Sequence, residues 1–144
     1  MSSKKIFIVE DDANILYGLE SQFQAADFDV EIIEADEEID ELISNIKEYD
    51  PDYIILDLIL PKADGFEVIK RIKGDDELNE KEIFIFTDLS DEDSRSRSLE
   101  LGADYFFFKE EFDTFEFAER VIKIVNNKSK KDEMEENEDR DYEE

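Results

Sequence analysis

The chain has 144 residues, about one domain's worth, and 42% of them are charged where about a quarter is usual. Forty-four acids against 17 basic residues leave a net charge of −27, which argues against direct nucleic-acid binding and against a polybasic membrane anchor. There is no cysteine and no histidine, which excludes disulfides, thiolate or imidazole metal sites and the Ser–His pair. Any chemistry must run on carboxylates, lysine, hydroxyls or a hard metal ion.

Short apolar runs alternate with amphipathic stretches five times. Ile6–Val9 follows Lys4-Lys5 and is too short for a signal peptide, so it reads as a first strand. Asp12 is a candidate N-cap for a helix carrying Ile15, Leu16, Leu19 and Phe23. The second run, Val30–Ile33, begins by alternating with acids (Phe28-Asp29-Val30-Glu31-Ile32), as an edge strand does. Asp36 is read as the cap of a second helix with Ile39, Leu42, Ile43 and Ile46, stopped by Pro51. Tyr53–Leu56 is the third strand, and Phe66, Ile69 and Ile72 form a helix face between Gly65 and Gly74. Ile83–Phe86 is the fourth strand. A polar helix from Ser90 to Leu101 follows and closes at Gly102. Tyr105–Phe108 is the fifth strand, and Phe115, Ala118, Val121, Ile122 and Val125 line the last helix.

Nearly continuous apolar strands separated by helices specify an α/β doubly wound parallel sheet with helices on both faces. Residues 1–127 are read as that domain and 128–144 as an acidic tail. Residues 132–144 hold nine acids and one arginine. This tail is either solvated, a prolongation of the last helix helped by a Glu136–Arg140 pair, or pinned by a neighbouring chain. No stretch approaches the ~20 apolar residues of a membrane span, so the expected location is cytoplasmic.

In such a sheet the site lies beyond the carboxyl ends of the strands. Those ends carry Glu10, Asp11 and Asp12, then Asp57, then Thr87 and Asp88, then Lys109. Crowded carboxylates must be protonated or neutralised by a cation. With oxygen ligands alone the cation is hard: Mg²⁺, Mn²⁺ or Ca²⁺. A lysine and a hydroxyl beside such a metal suit the oxygens of a phosphoryl group, and Asp57 is a candidate nucleophile forming an acyl phosphate. Singly, each residue also has a plain structural role: Asp12 as a cap, Thr87 as a strand end, Lys109 as a lysine reaching out of the core.

The stretches Ile6-Phe7-Ile8-Val9-Glu10-Asp11-Asp12, Ile55-Leu56-Asp57-Leu58-Ile59-Leu60-Pro61 with Asp64-Gly65, Phe86-Thr87, and Gly102-Ala103-Asp104-Tyr105 through Lys109 resemble the receiver domains of two-component response regulators. The resemblance implies a five-stranded (βα)5 flavodoxin-like sheet of order 2-1-3-4-5. It implies that Asp57 accepts phosphate from a histidine kinase, a phosphotransfer protein or a small acyl phosphate, and later loses it by self-dephosphorylation. Asp11 and Asp57 would bind Mg²⁺ directly, Glu10 through water, and the carbonyl of Ile59 would complete the protein ligands. Thr87 and Lys109 would hold phosphoryl oxygens, and Phe106 occupies the place of an aromatic switch.

Two residues depart from the family pattern. Asp88 stands where a small residue is usual; it is read either as an anionic obstacle at the site or as a solvent-facing cap of the fourth helix. Glu110 replaces a proline after Lys109, which makes a trans peptide the expectation there. The chain is read as a stand-alone receiver, a monomer or weak homodimer, signalling to an unknown output protein through the fourth helix, fifth strand and fifth helix. Ser94, Arg95, Ser96, Arg97 and Ser98 form a small basic cluster on that fourth helix, either solvated or facing an acidic partner. A receiver that no longer phosphorylates and serves as a docking module is the alternative. An aspartyl phosphohydrolase is disfavoured by Ile59, which stands where a second Asp is needed as acid/base. Flavin binding is disfavoured by acids in place of a phosphate loop.

Overall fold

The computed structural model describes residues 4–142, with side chains through Lys128. Five strands and five helices alternate: β1 Lys5–Val9, α1 Ala13–Ala25, β2 Asp29–Ile33, α2 Ile39–Tyr49, β3 Tyr53–Leu56, α3 Gly65–Lys73, β4 Glu82–Thr87, α4 Glu92–Glu100, β5 Tyr105–Phe108 and α5 Thr114–Tyr142. All strand pairs are parallel and the order is β2-β1-β3-β4-β5, the expected flavodoxin-like arrangement. Order reverses between β1 and β3, so their carboxyl ends form the crevice where such sheets place their sites.

Alternate residues of the central strands feed two cores. Phe7, Val9, Ile54, Leu56, Ile83 and Ile85 face one layer, packing on α2 and α3. Ile6, Ile8, Ile55, Phe84 and Phe86 face the other, packing on α1 and α5, where the Phe86 and Phe117 rings stack with centroids 4.0 Å apart. Burial on both faces is the reason these strands read as unbroken apolar runs. β2 keeps Asp29 and Glu31 exposed, as an edge strand should.

Asp12 caps α1, accepting from the amides of Asn14 (2.9 Å) and Ile15 (3.2 Å). Two boundaries differ from expectation. Helix α2 is preceded by Glu38, which makes no side-chain cap, rather than capped by Asp36. The chain between is turned by Ala35, a buried residue at φ 61°. Helix α4 starts later than Ser90, because Asp91 is its cap, accepting from the Ser94 amide at 3.0 Å. The expected close at Gly102 holds: its φ of 116° favours glycine, and a Cβ there would meet Lys73 Cγ at 2.7 Å.

The cluster from Ser94 to Ser98 is not one surface. Residues two apart on a helix point to different faces. Arg97 lies over the Phe66 ring at 4.1 Å, while Ser98 is buried and donates to the Arg95 carbonyl. The backbone of α5 is helical through Tyr142; the Glu136–Arg140 pair lies outside the described side chains. Among the described residues no helix is long and apolar enough to cross a membrane.

Candidate functional site

Each strand end delivers one part of the site because the backbone beyond it is tied to its neighbour. The Asp57 amide donates to the Val9 carbonyl (3.2 Å), which holds Asp57 beside Glu10. The Lys109 amide donates to the Thr87 carbonyl (2.8 Å), which carries the lysine back over β4. The loop after Asp57 folds onto itself through a bridge between Ile59 and Asp64, and the Gly65 amide bonds the Leu58 carbonyl at 3.2 Å.

That closure depends on glycine. A Cβ at Gly65 would stand 2.4 Å from Leu58 Cα and 2.7 Å from its carbonyl oxygen, both rigid backbone atoms. Gly65→Ala should therefore force the loop open and destabilise the protein by about 2–3 kcal/mol in urea titration. A loss under about 0.5 kcal/mol would mean that the loop absorbs a methyl group and does not hold Asp57 in place.

Asp57 is 3% exposed, and three donors reach it. Its Oδ1 accepts from Thr87 Oγ1 at 2.8 Å and from the Ile59 amide at 3.1 Å, and its Oδ2 accepts from Lys109 Nζ at 2.8 Å. The same Lys109 Nζ donates to Glu10 Oε1, also at 2.8 Å. Burial, with the charge of Asp57 adding to it, pushes the Glu10 carboxyl up to about 7 despite that lysine. For Lys109, burial is the largest influence and acts to lower its pKa, but hydrogen bonds to Asp57 and Glu10 outweigh it and leave the ammonium above its ordinary value. One lysine thus bridges two buried carboxyl groups held at the ends of two different strands.

A cavity of about 670 Å³ opens over this group, lined by Asp11, Asp12, Ile15, Asp57, Ile59, Asp88 and Lys109. Carboxylate oxygens of Glu10, Asp11 and Asp57 lie within 4.8 Å of one another. Three hard oxygen donors this close, one of them exposed, fit a divalent cation of the Mg²⁺, Mn²⁺ or Ca²⁺ kind. Asp88 is exposed at the cavity wall and is not the cap of α4. The Lys109–Glu110 peptide is trans, as expected without proline. Phe106 is half-buried against the α2–α3 core and meets Phe108 edge-on at 5.0 Å.

Residues 6–122 match the response regulator receiver domain. The chain belongs to that family. Receivers are the receiving half of two-component systems, and this one carries the strand-end acids, threonine and lysine in one connected group. Among its relatives, the probable transcriptional regulator ycf27 of Porphyridium aerugineum is 33% identical over 90% of this chain and 51% of its own length. The transcriptional regulatory protein PrrA of Mycobacterium leprae is 31% identical over 86% of this chain and 49% of its own. The receiver therefore spans about half the length of these curated relatives. Among solved structures, the BeF3-activated DrrB receiver domain superposes with a TM-score of 0.72 at 26% identity, covering 87% of this chain and 99% of that one. The Mn²⁺-bound form of response regulator Rcp1 gives 0.71 at 26%, covering 82% and 91%.

The connectivity of the lysine was not visible in the sequence. Spacing placed Lys109 at a strand end, but only the turn of the chain over β4 shows it bridging Glu10 and Asp57. The role of Gly65 was equally hidden; the Asp64-Gly65 pair was the one available signal of a tight closure.

Proposed function

We propose that this receiver accepts a phosphoryl group on Asp57 from a histidine kinase, a phosphotransfer protein or a small acyl phosphate. The observation that carries this reading is the threefold hold on the Asp57 carboxylate by Thr87, Lys109 and the Ile59 amide, with a cavity open on its remaining side. A carboxylate fixed by donors and approached from one direction is an oriented nucleophile.

Asp11 and Asp57, with the Ile59 carbonyl and Glu10 through water, would hold Mg²⁺, which when bound supplies positive charge for the phosphoryl oxygens. Asp57 forms the new O–P bond as the donor's bond to phosphorus breaks, and the donor group leaves with the electron pair. Lys109 then exchanges its carboxylate contact for a phosphoryl oxygen, and the Thr87 hydroxyl takes another. Drawing Thr87 inward opens space beside β4 for Phe106. The face of α4, β5 and α5 is the surface that a partner would read. Signalling in the cytoplasm is consistent with these partners.

Incubation with acetyl phosphate and Mg²⁺ should add one phosphoryl mass to the intact protein, and EDTA should suppress it. No adduct at any time, while the protein stays folded, would favour a docking module that works without phosphorylation.

A further inference from the structure

At the end of the sheet opposite Asp57 an ion pair joins the start of β4 to α5, beyond the apolar face on which the two already pack. Lys128 Nζ pairs with Glu82 Oε1. Glu82 begins β4, the strand whose other end presents Thr87 to Asp57. Among the described side chains Val125 is the last buried residue of α5, and Lys128, three residues on and on the same side of the helix, carries this pair. The second oxygen of Glu82, Oε2, is buried and has no partner among the described residues, which leaves that carboxylate dependent on Lys128.

Beyond Lys128 the α5 backbone continues to Tyr142, about 20 Å further. That stretch has little in its sequence to sustain a helix alone. Seven acids crowd its C-terminal part, where the helix dipole disfavours them, and Met134 and Tyr142 are the only apolar residues in its sequence. Its order must be supplied from the anchored end.

We propose that Glu82 and Lys128 form a clamp that fixes the direction in which the acidic arm, residues 129–142, leaves the domain. The clamp makes α5 one continuous rod and sets the angle between the arm's helix axis and the receiver body. It works independently of any chemistry at Asp57.

The absence of cysteine makes the test direct, because introduced cysteines are the sole labelling sites. Spin labels at Gln24→Cys on α1 and Asn137→Cys on the arm should give a single narrow distance in the otherwise native chain. Glu82→Gln or Lys128→Met should broaden that distribution and speed amide exchange over 129–142 about fivefold. The charge swap Glu82→Lys with Lys128→Glu should restore both. Lys123→Met removes only the pair with Glu119 inside the helix and should change neither readout. A distribution already broad in the native chain, one unaltered by breaking the pair, or a charge swap that restores nothing would overturn the proposal.

Discussion

Lys109→Met should destabilise the metal-free protein by about 3 kcal/mol at neutral pH. The side chains of Lys109, Glu10 and Asp57 are 9%, 3% and 4% exposed, so removing the ammonium leaves two desolvated carboxylates facing each other without a cation. The loss has a definite pH dependence. In the native protein the Glu10 carboxyl titrates near 7 rather than at its ordinary 4.5, so the folded state binds that proton more tightly than the unfolded one. Its contribution is fully present below about pH 4.5 and fades as pH rises through 7. Without Lys109 the shift moves further in the same direction, and a buffer near pH 5 should recover part of the lost stability. Millimolar Mg²⁺ should recover more, since a bound cation replaces the missing charge. Urea unfolding of both proteins, with and without Mg²⁺, checks this. A variant as stable as the native chain at pH 7 would show that the two carboxylates do not depend on the lysine.

Asp88→Ala should accelerate both phosphorylation from acetyl phosphate and loss of the phosphoryl group, each on the order of fivefold. Asp88 is exposed on the wall of the cavity that holds Asp57, and Asp91 already caps α4, so the carboxylate is spare as a structural element. Its negative charge opposes an anionic donor, and its bulk narrows the approach of both donor and water. Time courses of intact mass, before and after removal of donor, measure the two rates separately. Unchanged rates would return Asp88 to the solvent. A change in one rate alone would show that its charge and its size act on different steps.

The architecture was legible because burial on both faces leaves a plain mark. Ile6–Val9, Tyr53–Leu56 and Ile83–Phe86 read as unbroken apolar strands for the same reason that they sit at the centre of the sheet. The site residues were legible as types at strand ends, since topology alone brings those ends together. Helix starts were less legible. Asp36 has the chemistry of a cap, yet Ala35 turns the chain in a left-handed conformation and the helix begins two residues further on, after Glu38. Ser90 and Asp91 are both good caps by type, and only the bonds to the Ser94 amide and hydroxyl single out Asp91. Contacts between distant elements were not legible at all. Lys109 with Glu10 and Glu82 with Lys128 join residues 99 and 46 positions apart, and no local pattern marks either pair.

Asp57 is the residue proposed to carry the phosphoryl group. Borohydride reduces an acyl phosphate to the alcohol, so treatment of the acetyl phosphate reaction followed by peptide mapping reads the modified position directly. Homoserine at residue 57, absent from an Asp57→Asn control, is the predicted result. Homoserine at Asp11, Asp12 or Asp88 with residue 57 untouched would show that another carboxylate is the phosphoacceptor.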